Sequence, residues 1–306
     1  MVRNIAGKKS ERDEKMRIKQ TKCDTVFDVF NYLLMALLIL ITVYPFYYVV
    51  CASFSNPTDI AGETFLLYPK GFNISGYEAV FKNRDIMVGY RNTLFYLVIG
   101  TAVNVVLTTV VAYSLSKKTF WGPKVMLMIT VTMFFGGGLV PRYIVNQKLG
   151  LVGSPLALIL PDAIAVWNLI VMRTSFSQMP QEIEEAAKVD GCSDLKYFFS
   201  VAVPLSMATI AVMILFYGVA HWNAWFNASI YLRARDMFPL QLFLREILIL
   251  NSMEDMSNSV QAEMKIMVED TIKYATIIVS TLPILVLYPF LQKYFVKGVM
   301  VGAIKG

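Results

Sequence analysis

Phe27-Asp-Val-Phe-Asn-Tyr-Leu-Leu-Met-Ala-Leu-Leu-Ile-Leu-Ile-Thr-Val-Tyr-Pro-Phe-Tyr-Tyr-Val-Val-Cys-Ala52 contains one charged residue, Asp28, and that lies at its start. About 20 mostly apolar residues suffice for a helix to cross the hydrocarbon layer, so this run predicts a membrane span rather than a core helix of a soluble domain. The basic stretch before it is long, and the run exceeds the 7–15 apolar residues of a typical signal peptide. Val49-Val50 before Cys51 also lacks the small residue of a lipoprotein cleavage site. The expectation is an uncleaved helix.

Five further apolar runs follow, at about 92–115, 125–145, 155–172, 201–224 and 274–294. Of the 306 residues, 56% are hydrophobic and 16% charged, against about a quarter charged in an ordinary soluble domain. The fold class expected is therefore all-α, a polytopic membrane protein with six transmembrane helices over residues 26–296. Pro161, Pro204, Pro283 and Gly136–Gly138 fall inside these runs, where a bundle re-satisfies the freed backbone groups.

Lysine and arginine orient the bundle. A basic tail, residues 1–25, carries Arg3, Lys8, Lys9, Arg12, Lys15, Arg17, Lys19 and Lys22. The same side then receives Lys117, Lys118 and Lys124, next Arg173, Lys188 and Lys196, and last Lys293, Lys297 and Lys305. These are most of the chain's 28 bases, so both termini, including the tail 297–306, are expected on the cytoplasmic side. The outer loops are then about 53–90 and 227–273. In the second, Leu240, Phe243, Leu244, Ile247 and Leu248 recur at helical spacing. That pattern suits an amphipathic helix on the membrane surface or a docking face for a partner.

Other chemistries lack material. His221 is the only histidine, and Cys23, Cys51 and Cys192 have no C-x-x-C spacing, which disfavours a zinc site, a His-based triad or a disulfide framework.

The loop at about 177–200 holds Met179-Pro-Gln-Glu-Ile-Glu-Glu-Ala-Ala-Lys-Val-Asp-Gly-Cys-Ser-Asp194. Pro180 suits the first helical position, while Glu182, Glu184 and Glu185 complement the positive end of the helix dipole. Gly191 suits the left-handed residue past the end, and Ser193 can cap a second short helix. Ala186 and Ala187 leave a face with little bulk. On these features alone the segment is either a linker lying at the interface or a surface for another protein.

Glu185-Ala186-Ala187, three residues, Gly191, nine residues, then Val201-x-Val203-Pro204 resembles the EAA loop of binding-protein-dependent ABC importers, with Val at both aliphatic positions of E-A-A-x3-G-x9-I-x-L-P. Phe135-Gly136-Gly137-Gly138, Leu149-Gly150-Leu151, Trp222-Asn-Ala-Trp-Phe226 and Pro239-Leu-Gln241 are similar to the carbohydrate permeases of the maltose MalG kind. The C-terminal run Tyr288–Gly298 through Ile304-Lys305-Gly306 is similar to the LplC/YtcP subgroup, linked to oligosaccharides that include uronates. The resemblance implies the type I importer permease fold. It implies a heterodimer with a second permease, an ATPase dimer, and an extracytoplasmic binding protein that delivers an oligosaccharide. Glu185, Ala186, Ala187, Asp190, Gly191 and Pro204 would belong to the ATPase-coupling segment. No cofactor is expected on this chain: its nearest approach to a phosphate loop, Gly71 to Gly76, continues with Tyr77 rather than Lys, so ATP would be handled by the partner. Membrane lipid is the expected solvent, and nucleic acid is not an expected partner.

Asp162 is the acid expected within a span and the first candidate for the substrate pathway; a water-accessible position near the outer end is the alternative. Asn223 and Trp225, beside His221, Trp222 and Asn227, are further candidates, because aromatics with amides suit sugars; an interfacial belt is the alternative. Asn104, Thr108 and Thr109 are expected to join helices. Gly136–Gly138 either bends its helix or packs tightly. An ion-coupled secondary carrier is the rival reading. It calls for a relay of intramembrane ionisable groups, and Asp162 shows no obvious partner in a span.

Overall fold

The structure, a computed structural model, describes residues 22–60, 62–254 and 272–286, and among them every regular element is helical. The expected tails, the C-terminal motif and the end of the last run lie outside the described residues. Helix α1, Lys22–Ser53, spans 32 residues, about 48 Å at 1.5 Å per residue. Its large apolar side chains are exposed almost throughout, and only Cys51, Ala52 and Ser53 are buried. Such a helix needs lipid or another subunit around it. Its end is tied to the following loop, where Leu66 N–H donates to Tyr44 Oη at 3.0 Å.

After α2 (Ser75–Lys82), α3 runs from Arg84 to Ser116, the other helix that is long and apolar enough to cross a membrane unbroken. It begins before the apolar run because the Asn83 side chain accepts from Asp85 N–H at 2.9 Å and caps it. One wider, π-type turn interrupts it at Tyr96–Gly100.

Three expected spans are not single continuous helices. The run 125–145 is not one helix: α4 (Gly122–Phe134) and α5 (Leu139–Lys148) meet at 120° across a break. Thirteen residues reach about 20 Å, short of a 30 Å hydrocarbon core. Gly138 turns the corner with φ of 81°, a left-handed conformation that other residues resist. Open space surrounds Gly136 and Gly138, so of the two roles expected for these glycines the bend is the one seen within this chain. The run 155–172 becomes regular helix only at α6 (Val166–Ser177), after a single 3-10 turn at Pro155–Leu158. The carbonyls of Asp162 and Ala163 bond instead to Asn104 Nδ2, at 2.9 and 2.8 Å. The run 201–224 is bent by 77° between α8 (Asp194–Leu205) and α9 (Met207–Trp222), α7 (Gln181–Val189) having intervened before them. Pro204 lacks an N–H for the ladder, and Ser206 at the corner has left helical geometry, with φ −92° and ψ 8°.

Helices α3, α6 and α9 form the main core, with Ala112, Leu169, Met172, Phe176, Met213 and Tyr217 buried between them. Within lipid, packing and polar bonds rather than expulsion of water hold helices together. Here Thr108 Oγ1 and Tyr217 Oη share a hydrogen bond of 2.7 Å, and Tyr217 Oη accepts from Ala165 N–H at 3.1 Å. The expected joining role of Asn104 and Thr108 is thus realised. After α10 (Phe226–Tyr231), α11 (Leu240–Glu254) turns Leu240, Leu242 and Phe243 into the chain against α3. Its apolar side is thereby used internally. Helix α12, Ile272–Val286, completes the described chain.

Candidate functional site

No residue of α7 is buried, although it ends in a defined cap. Gly191 N–H donates to Lys188 O at 3.0 Å and Cys192 N–H to Ala187 O at 2.9 Å, closing the helix with Gly191 at φ of 74°. This pair of bonds satisfies carbonyls that the helix end leaves free. A Cβ at Gly191 would meet nothing within 4 Å, so backbone geometry rather than space requires glycine. Pro180 stands at the cap position, ψ 131°, one residue earlier than its expected first helical place. Ser193 does cap the next helix, accepting from Lys196 N–H at 3.4 Å.

The side chain that fastens α7 is Glu184. Its carboxylate lies 2.7 Å from Lys117 Nζ, just past the end of α3, and 2.9 Å from Lys188 Nζ one turn on. Lys117 also lies over the rings of Tyr113 and Tyr197, at 4.6 and 5.2 Å from their centroids. Lys118 Nζ donates to Gln181 Oε1 at 3.1 Å. The hydrogen bond from Lys117, then that from Lys188, holds the Glu184 carboxyl below its ordinary pKa. A polar cleft of about 520 Å³ opens between α7 and the ends of α3 and α6. The i,i+4 spacing of Glu184 and Lys188 was visible in the sequence; the partnership with Lys117, 67 positions away, was not.

Of the expected coupling residues, Glu185 and Ala186 face outward, Ala187 is half-buried, and Asp190 and Gly191 form the exposed end. Val189 is 88% exposed and Leu195, just beyond, 73%, leaving apolar groups beside the acidic helix. Pro204 is not part of this surface; it lies at the α8–α9 bend.

At the other end of α6, Asp162 does have a charged partner. Arg142 Nη2 of α5 lies 2.5 Å from Asp162 Oδ2, which also accepts from Asn227 Nδ2 at 3.2 Å. Arg142 fell inside the expected third span and was overlooked. Asn104, whose Nδ2 holds the Asp162 carbonyl, meets His221 Nε2 through Oδ1 at 2.7 Å. Asn223 donates to Val219 O of its own helix at 3.0 Å. The Trp225 ring is covered by the Arg245 guanidinium, 3.6 Å from its centroid.

The fold and its two polar ends define a membrane-embedded helical subunit with a protruding, capped helix. No family model matches the chain. It is similar to the protein LplC of Bacillus subtilis (strain 168), 40% identical over 292 residues, which cover 94% of this chain and 97% of the relative. It is 39% identical over 282 residues, 92% of this chain and 99% of the relative, to the polygalacturonan/rhamnogalacturonan transport system permease protein YtcP of the same organism. A solved structure, a bacterial ABC transporter involved in the import of the acidic polysaccharide alginate, superposes with a TM-score of 0.83 at 28% identity. That match covers 91% of this chain and 99% of the other. The chain belongs to the permease subunits of ABC sugar importers, a family of transport subunits rather than enzymes.

Proposed function

We propose that this chain is one of two different permeases lining the path of an ATP-driven importer, and that α7 is where the ATPase engages it. The cargo is an oligosaccharide, an acidic one given the polymers named for its relatives, handed over by an extracytoplasmic binding protein. The observation that carries the reading is that α7 is fully formed, capped and anchored yet buries none of its residues. A charged helix with Ala186, Val189 and Leu195 exposed beside it offers close backbone approach and an apolar contact to another protein. Glu185, Ala186, Ala187, Asp190 and Gly191 form that contact, and Pro204 transmits its displacement at the bend. ATP is bound and hydrolysed by the separate ATPase dimer, with no cofactor on this chain.

The placement of Lys117, Lys118, Arg173 and Lys188 at the α7 end supports a cytoplasmic position for that end in a bacterial cell membrane, with both termini on the same side. Arg173 Nε reaches Leu115 O there at 3.0 Å. An ion-coupled carrier is not favoured: its relatives are ABC permeases, and Asp162 is closed by Arg142 rather than opening a relay.

The test is copurification and ATP hydrolysis with the cognate ATPase, comparing wild type with Gly191→Asp. A side chain at φ of 74° costs about 1–2 kcal/mol and reshapes the end of α7 without touching the core. Expected are an intact membrane-inserted chain and a loss of ATPase stimulation by sugar-loaded binding protein. Normal assembly and stimulation in Gly191→Asp, or no ATPase bound to wild type, would refute the coupling assignment.

A further inference from the structure

A cleft of about 950 Å³ lies between the glycine break, α5 and α10, with Arg142, Asn146, Asn227 and Tyr231 in its lining among apolar walls. That is the upper end of the usual range for small-molecule sites, and the mixture of apolar surface with few convergent polar groups is their usual composition. Two of these residues are conspicuous. Asn146 is 3% exposed and Tyr231 1%, and neither Asn146 Nδ2 nor Tyr231 Oη has a hydrogen-bond partner among the described residues. A buried polar group without a partner is costly, and both atoms lie enclosed behind the wall of one cleft.

The charged pair at the cleft is poised differently. Arg142 and Asp162 are 41% and 53% exposed, with Nη2 2.5 Å from Oδ2. Arginine has five donors in a fork that matches a carboxylate in two-pronged fashion, and a half-solvated contact leaves that fork open to exchange. Phe226, 49% exposed, adds an aromatic face at the lining.

We propose that this cleft is a transient binding station for an acidic sugar unit, whose carboxylate displaces Asp162 from Arg142 while its hydroxyls engage Asn227 and, as the wall yields to it, the enclosed Asn146 Nδ2 and Tyr231 Oη. The proposal rests on the importer reading above and adds a site and a charge preference to it. Asp162 then acts as the resident counter-ion. It neutralises Arg142 when the cleft is empty and reclaims it when the sugar moves on, which prevents an unpaired guanidinium from trapping an acidic cargo. Asn104, holding the Asp162 carbonyl, keeps that counter-ion in place.

The experiment uses the purified importer, with both permeases and the ATPase dimer, and two probes: trigalacturonate and its carboxyl-reduced, neutral counterpart. Kd is read by calorimetry on wild type, Arg142→Gln and Asp162→Asn. Stimulation of ATP hydrolysis by trigalacturonate-loaded binding protein is read alongside. Arg142→Gln is expected to weaken trigalacturonate binding by about tenfold or more and to leave the neutral probe nearly unchanged. Asp162→Asn frees Arg142 and is expected to tighten trigalacturonate binding, so the two variants move in opposite directions. A merely structural ion pair predicts the same direction for both. That outcome, equal losses for the two probes, or no trigalacturonate binding by wild type overturns the site. If ATP hydrolysis still responds normally in those cases, the importer reading survives; if wild type shows no response at all, both fall together.

Discussion

Removing the Lys117 ammonium should loosen α7 without unfolding the bundle. Lys117 and Glu184 are 28% and 27% exposed and 2.7 Å apart, so the pair lies between a fully solvated ion pair and a buried one. Solvated pairs contribute up to about 1 kcal/mol, and hydrogen bonds to charged groups about 1.5–3. With both groups mostly covered, about 1–2 kcal/mol is the appropriate range. Helix α7 buries none of its own residues, and besides Lys117 it is held by the Lys118–Gln181 bond and half-buried Ala187, so the loss should appear locally. At 1.36 kcal/mol per factor of ten, Lys117→Met should speed amide exchange at Asp190, Gly191 and Cys192, whose N–H groups close the helix, by about fivefold to thirtyfold. Lys188→Met, at an exposed i,i+4 position, should change it by no more than roughly twofold. Hydrogen-exchange mass spectrometry of the chain in nanodiscs reads both. Equal effects of the two substitutions, or none from Lys117→Met, would sink the claim that Lys117 anchors α7.

The same anchor gives a pH dependence: because the Glu184 carboxyl is held below its ordinary value, first by Lys117 and then by Lys188, its contribution is complete above about pH 4.3 and lost as pH falls through the depressed value. After correction for intrinsic rates, α7 protection should be flat from pH 5 to 8; a loss near pH 6 would contradict the assignment. Gly100→Ala places a Cβ 2.5 Å from His221 Cε1 and Nε2, and overpacking of this kind costs about 1–3 kcal/mol. A lowered thermal midpoint in detergent is expected, with a smaller loss in a His221→Ala background; identical losses in both backgrounds would exclude the clash. Asn104→Leu leaves the Asp162 and Ala163 carbonyls and the His221 ring without their shared partner, each unpaired group costing about 1–3 kcal/mol. An unchanged midpoint would show that the amide does not hold the α6 entry.

Membrane embedding was legible because it depends on composition over long runs, which needs no partner: α1 and α3 lie where the apolar residues are. Breaks were less legible. Hydropathy does not distinguish one span from two short helices folded at Gly138, since the residues on both sides are apolar in either case. Asp162 and Ala163 read as part of a helix because nothing local reveals that Asn104, 58 and 59 positions away, takes their carbonyls. The cap of α7 was readable, as Gly191 and Ser193 act on neighbours in sequence. Arg142 was missed although it lay in plain view, because a base within an apolar run was absorbed into the run rather than weighed as the partner of Asp162. Lys117 and Glu184 illustrate the remaining gap: each lies in a different charged loop, Glu184 was read only against its own helix dipole, and only packing of α6 against α3 brings them together.

That packing has a mechanical consequence. Helix α3 holds α6 at both ends: Asn104 bonds the carbonyls that precede it, and Leu115 O accepts from Arg173 near its last turn. Between these points lie the buried contacts of Ala112, Leu169, Met172 and Phe176, close-packed and therefore resistant to deformation. Asn104 and Lys117 are about 20 Å apart along α3 at 1.5 Å per residue. One anchors the segment carrying Asp162, and the other anchors α7. A force applied to α7 is thus expected to move α3 and α6 as a body, with strain collecting where the chain is already broken, at Gly138 and at the α8–α9 bend. Arg142 lies beyond the first break and Asp162 within the moving body. Separation across that break would therefore open the pair that the cargo is proposed to exchange with, linking the two ends without requiring any rearrangement inside the α3–α6 core.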